Sequence, residues 1–267
     1  MSAEAQVIER FQLTFIQHLG ARMPDGWCLK GGVNIRAFYA SPRSSKDIDF
    51  DAFMRHDRLP DRIAKILRSK SFADDLRRTE IELVDLHQAK DTDTTVRWKP
   101  ELRHQRRMTA HTKLEFSLRA GDESDAPIAW LQSHMGTDAV NDGLRLRHSL
   151  AVAPTATHYD VTAAYQQKVQ ALGLRSETKA RDVFDMNWLL ARDPEACALA
   201  PAKNARAAAE RALELAYDDF SAQVVPFFDR EDAAIYGTKA AWDQMVGHVV
   251  EDLLGRAETA VASKGVS

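Results

Sequence analysis

Two hydrophobic rhythms run along the chain. Over residues 3–23, AEAQVIERFQLTFIQHLGARM, Ile8, Phe11, Phe15, Ile16 and Leu19 recur at helical spacing with Glu9, Arg10 and Gln17 among them. That pattern predicts an amphipathic packing helix. WCLK (27–30) is a short apolar run suited to a buried strand, Gly31-Gly32 breaks it, and VNIRAFYA then reads as a short helix. SPRSS makes a turn, after which KDIDFDAF alternates strictly: Asp47, Asp49 and Asp51 on one face, Ile48 and Phe50 on the other. LPDRIAKILRSKSF (59–72) predicts one amphipathic helix opening near Pro60. TEIELVDLH, DTTVRWKP and HTKLEFSLR predict three strands. Residues 121–143 read as loop with a short helix or strand in the middle, and LRLRHSLAV as one more strand.

From about residue 156 the rhythm becomes helical throughout. Residues 160–173, 178–192, 201–220 and 231–257 are rich in alanine and leucine and are separated by Gly173, Pro194, Pro201 and Pro226. The expectation is an α+β protein with a mixed-sheet domain over 1–155 and a helical C-terminal domain over 156–267.

Composition narrows the setting. A formal charge of -3 gives no global sign of a nucleic-acid binder, so any polyanion must be met by a local patch. Cys28 and Cys197 lie far apart and in no metal-ligand spacing, which reads as reduced thiols of a cytosolic protein. The first helix is too interrupted for a signal peptide, and no segment nears the roughly 20 apolar residues that cross a bilayer. The expectation is a soluble, cytoplasmic protein without a membrane partner.

The candidate chemistry lies in LKGGVNIRAFYASPRSSKDIDF (29–50). Taken singly, its parts are ordinary: a glycine pair is usually a turn, and an alternating D-x-D is often an exposed strand face. Their order is more telling. A strand ending in Gly31-Gly32 and followed by a helix offers free backbone N–H groups to a phosphate. About fifteen residues later Asp47 and Asp49 share a strand face, where their repulsion calls for a cation. Mg²⁺ suits that pair, because it is held by one or two carboxylates together with substrate phosphates. A phosphate cradle beside paired carboxylates is what metal-assisted phosphoryl chemistry requires.

These residues resemble the signature of the AbiEii/AbiGii-type toxin nucleotidyltransferases, within the polymerase-beta-like nucleotidyltransferase superfamily. The family pattern is a glycine pair opening a short helix, then R-x-S-x-D-x-D, here Arg43, Ser45, Asp47 and Asp49. A second stretch, YQQKVQALGLRSETKARDVFDMNWLL, is similar to the family's K-x-x-A-L and R-D-x-x-D on successive helices and supplies Lys168, Arg181, Asp182 and Asp185. Together the two motifs span residues from about 26 to 192.

The resemblance implies a nucleotidyltransferase core, with Lys30, Gly31, Gly32, Arg43, Ser45, Lys168 and Arg181 on the nucleotide triphosphate and Asp47 and Asp49 on the metal. Glu115, which alternation places with Lys113 and Ser117, is the candidate third acidic residue, as metal ligand or as base. Lys168 is implied to neutralise phosphate, with Asp182 and Asp185 in the same catalytic set. The spacing of Arg181 and Asp185 also suits an i,i+4 pair. The chain departs from the pattern at Val33, where many members carry Thr or Ser, and Asn34 or the serines at 44 and 45 are the substitutes at hand. Asp51 extends the acidic face beyond the usual pair, as a bystander or as a supporting group.

The acceptor decides the biology. Residues 96–119 carry Arg97, Lys99, Arg103, Arg106, Arg107, Lys113 and Arg119 against Glu101 and Glu115, a basic hairpin able to grip RNA or simply to face solvent. The resemblance implies a toxin of a toxin–antitoxin or abortive-infection system, using an NTP and Mg²⁺, with the 3′ end of tRNA as the favoured acceptor and a cognate antitoxin encoded nearby. A small-molecule or protein acceptor fits the same chemistry. A non-catalytic nucleotide- or RNA-binding module is the alternative of a different class.

Overall fold

The computed structural model describes residues 1–119 and 126–264. Chain contacts divide them into two units. One holds residues 2–40 and 44–160; the other holds Met1, Ser41–Arg43 and the chain from Val161 on.

The first unit is built on a mixed sheet. Its elements in chain order are α1 (Ala3–Arg22), β1 (Trp27–Lys30), α2 (Gly31–Phe38), β2 (Asp47–Ala52), α3 (Leu59–Leu67), α4 (Lys70–Arg77), β3 (Ile81–Thr92), β4 (Thr95–His104), β5 (Met108–His111), β6 (Lys113–Leu118), α5 (Ala126–Ser133), β7 (Met135–Ala139), α6 (Asp142–Arg147) and β8 (Thr155–Tyr159). The strand order is β3-β4-β6-β2-β1-β8-β7, with β5 paired to β4. β2 runs parallel to β6 and β1 parallel to β8; the other pairings are antiparallel.

One face of this sheet is the core. Ile48 and Phe50 of β2 and Leu114 and Phe116 of β6 are buried with Phe11, Phe15, Trp27, Phe72 and Trp98. Phe50 stacks on Phe116 at 4.7 Å, and Phe15 of α1 meets Phe50 edge-on at 5.9 Å. Because strand side chains alternate, burying the even positions turns Asp47, Asp49, Lys113 and Glu115 to the opposite face. Two side chains pin the entry to β2: Gln12 Nε2 donates to the Ser45 carbonyl at 3.0 Å and Thr112 Oγ1 to the Lys46 carbonyl at 2.6 Å.

The second unit is helical: α7 (Val161–Leu174), α8 (Ala180–Arg192), α9 (Pro194–Ala198), α10 (Ala205–Leu213), α11 (Tyr217–Gln223), α12 (Arg230–Tyr236) and α13 (Lys239–Lys264). Phe220 stacks on Trp242 at 4.7 Å and Phe184 meets Phe228 at 5.2 Å. α10 buries Ala205, Ala208, Ala209 and Ala212, side chains small enough for close helix packing. Among the described residues no helix is long and apolar enough to cross a membrane.

Two local expectations need correction. The helix expected over 59–72 is two, because Ser69 starts α4 by accepting the Phe72 N–H on its hydroxyl. LRLRHSLAV is not a strand. Asn141 accepts the Leu144 N–H and Asp142 sits in the first turn, so the chain enters α6, and the strand follows at β8. In the stretch 121–143 the short helix or strand expected in the middle is present as α5 followed by β7, whereas 121–125 lie outside the described residues.

Candidate active site

The register of β2 against β6 puts Asp47 opposite Lys113 and Asp49 opposite Glu115; β1 puts Lys30 beside Asp49, and β4 puts Arg97 beside Glu115. Three carboxylates from two adjacent strands therefore share a small patch. The cation in their midst is Lys113, whose Nζ lies 3.3 Å from Asp47 Oδ2, 3.8 Å from Asp49 Oδ1 and 3.8 Å from Glu115 Oε2. Arg97 adds a 2.5 Å pair to Glu115 Oε2.

Burial is the largest influence on Asp49 and raises its pKa. Lys113 and Lys30 oppose the rise, and the Glu115 and Asp47 charges add to it. The donor set is all carboxylate oxygen around a cation, which is the chemistry a hard divalent ion takes. Among the described residues no three His, Cys, Asp or Glu side chains gather as metal ligands do, and the cation these three carboxylates share is the Lys113 ammonium.

Gly31 opens α2 against this patch. Its φ of +72° lies in the left-handed region, and a Cβ there would meet Asp49 Oδ2 at 3.3 Å, so glycine is needed both for backbone conformation and for approach. Lys30 at the N-cap makes no side-chain cap, which leaves the first N–H groups of α2 without a side-chain partner from that residue.

The other expected nucleotide-binding groups in this unit have partners. Lys30 Nζ donates to Asp51 Oδ1 at 2.6 Å and to Ser117 Oγ at 2.9 Å. Asp51 is fully buried and also receives Arg119 at 2.8 Å and the Tyr159 hydroxyl at 2.7 Å. Burial alone would raise the Asp51 carboxyl; Lys30, Arg119 and Tyr159 overcome it and hold the pKa below the ordinary value. Ser45 Oγ donates to the Asp47 carbonyl at 2.9 Å. Asn34 does not substitute for the missing hydroxyl at Val33: it is buried and bonded to the Tyr159 carbonyl and to His158.

The second motif forms a buried ion cluster within the helical unit. Lys168 Nζ lies 2.9 Å from Asp182 and 2.7 Å from Asp185, and Arg175 reaches Asp182 at 2.8 Å. Arg43, which belongs to this unit, binds Asp185 through Nη2 at 2.9 Å and through Nε at 3.1 Å. The i,i+4 pair of Arg181 with Asp185 is not formed, because Asp185 is taken by Arg43 and Lys168 from other segments. Burial alone would raise Asp185; those two cations outweigh it and hold the pKa below the usual carboxylate value. Sequence reasoning named Arg43 and Asp185 but could not pair them across 142 positions. It also placed Lys113 on the Glu115 face without assigning it a part in the site.

A family model described as the nucleotidyl transferase AbiEii toxin of type IV toxin–antitoxin systems matches residues 21–263. The chain belongs to the AbiEii toxin family. It is a nucleotidyltransferase of a toxin–antitoxin system, as the two motifs imply. No curated protein sequence matches it. Among solved structures it is similar to JHP933 from Helicobacter pylori, with a TM-score of 0.59 and 19% identity over 99% of both chains. It is also similar to a candidate nucleotidyltransferase from H. pylori, with a TM-score of 0.60 and 20% identity over 96% of this AbiEii chain and 98% of that one. At such identities the likeness speaks for the fold.

Proposed function

We propose that this AbiEii member transfers a nucleoside monophosphate from an NTP to an RNA acceptor, the 3′ end of tRNA being favoured, and releases pyrophosphate. The observation that carries this reading is the meeting of Asp47, Asp49 and Glu115 around one cation, with the start of α2 against Asp49. Asp47 and Asp49 would hold Mg²⁺, which when bound supplies charge neutralisation for the triphosphate. The N–H groups of Gly31 and Gly32 donate to phosphate oxygens at the helix start. An acceptor hydroxyl attacks the α-phosphorus, the bond to the bridging oxygen breaks, and the hydroxyl proton passes to a carboxylate, for which Glu115 is the proposed group. The reaction is placed in the cytoplasm, with a cognate antitoxin as its counterpart.

Support for RNA comes from β4. Alternation puts Arg97, Lys99, Glu101 and Arg103 on the face of Glu115, with Glu82 of β3 opposite Arg103, so a strip of cations interrupted by two carboxylates runs about 20 Å along β4 towards Arg106 and Arg107 in the next turn. Such a strip suits a phosphate backbone and gives salt-dependent binding. The test is α-labelled NTP with total bacterial tRNA, comparing the intact chain with an Arg103→Ala, Arg106→Ala, Arg107→Ala triple variant. The reading expects labelled RNA and at least about a tenfold loss with a shallower salt dependence in the variant. Equal labelling by the variant would remove the basic strip from the account. Label on a protein or small molecule but not on RNA would replace the acceptor.

A further inference from the structure

The placement of Lys113 carries a consequence for how the site fills. Its ammonium lies within ion-pair distance of all three carboxylates, at 3.3, 3.8 and 3.8 Å, while Lys30 is drawn to Asp51 and Arg97 to Glu115. Counted with the neighbouring Asp51, the four carboxylates are balanced by Lys30, Arg97, Lys113 and Arg119. Adding a divalent ion beside all of these cations would leave an excess of two positive charges, whereas exchanging the Lys113 ammonium for that ion halves the excess. A cation within about 4–6 Å shifts an ionic equilibrium by one to three decades, so the ion and Lys113 oppose each other strongly. The Lys113 side chain keeps 28% exposure, so its ammonium has a way out to solvent.

We propose that Lys113 is a built-in counter-cation of this carboxylate set, competing with a divalent ion for Asp47, Asp49 and Glu115 and giving way when the ion binds. Lys113 thereby weakens ion affinity and sets the ion concentration at which the site becomes competent. An ordinary cross-strand pair with Asp47, its register partner, would use one carboxylate; contact with Asp49 and Glu115 as well is what marks a counter-cation for the whole set. The proposal rests on the metal reading given above.

The test is titration of the purified full chain with Mn²⁺ and no nucleotide, bound ion being read by electron paramagnetic resonance and calorimetry. Lys113→Met keeps the aliphatic stem, Lys113→Arg keeps the charge, and Asp49→Asn is the ligand control; melting curves establish that each is folded. The expected result is binding at least about tenfold tighter in Lys113→Met, near-native in Lys113→Arg and lost in Asp49→Asn. Unchanged or weaker binding in Lys113→Met, with loss in Asp49→Asn, overturns the counter-cation and leaves the metal reading intact. Absence of Mn²⁺ binding from every folded variant overturns both.

Discussion

At Asp49 burial favours the protonated acid, Lys113 and Lys30 work against that preference, and the Glu115 and Asp47 carboxylates reinforce it. The net rise means that the folded protein binds this proton more tightly than the unfolded chain does. Stability contributed by Asp49 is therefore present below the ordinary carboxylate pKa and falls as pH rises through the raised one. Removing the charge should help folding and harm function, a trade common where a site is organised for a ligand. Asp49→Asn is expected to melt higher than the intact chain at pH 8 without metal, with the gain shrinking towards pH 4. Transfer should fall by about 10²-fold or more, the scale at which lost charge stabilisation is felt in catalysis. Thermal melts at both pH values check the first claim; a lower melting temperature at pH 8 would contradict it.

Among the elements, α7 and α8 are tied through one buried network: Lys168 to Asp182 and Asp185, Arg43 to Asp185. Deleting one partner of a buried pair leaves an uncompensated charge and costs about 3–5 kcal/mol. Arg43→Ala should lower the melting temperature markedly. Because the Asp185 pKa is held low, the stability it contributes exists above the ordinary carboxylate pKa and disappears as pH falls through the lowered one. The loss in Arg43→Ala should thus be large at pH 7 and shrink only as the pH falls below the ordinary carboxylate range, and a pH-independent loss would count against the ion network.

Much of the element pattern was legible in sequence because it rests on local periodicity. Ile48 and Phe50 against Asp47 and Asp49 declared both the strand and its two faces, and the glycine pair announced the start of α2. Failures came where a cap competes with alternation, as when Asn141 and Asp142 turned LRLRHSLAV into a helix. At the site, the carboxylate set could be read, since alternation fixed the face of Glu115. The partners of Lys30, Asn34 and Arg43 could not, since each hydrogen bond joins elements remote in sequence: β1 to β2, α2 to β8, and the turn before β2 to α8.

For the whole molecule, a fold shared with H. pylori proteins at 19–20% identity shows that the architecture tolerates wide substitution. A net charge of -3 also leaves contact with a polyanion to local features such as the β4 strip. The proposed reaction requires the carboxylates of β2 to direct attack on the α-phosphorus of a nucleotide. Its decisive measurement is a pair of parallel reactions with α-labelled and γ-labelled NTP, Mg²⁺ and bacterial tRNA, with Asp49→Asn alongside. The expected result is α-label on the acceptor, γ-label only in released pyrophosphate, and at least about 10²-fold less of both products from the variant. Transfer of γ-label to the acceptor, or α-label transfer by Asp49→Asn at the intact rate, would contradict it.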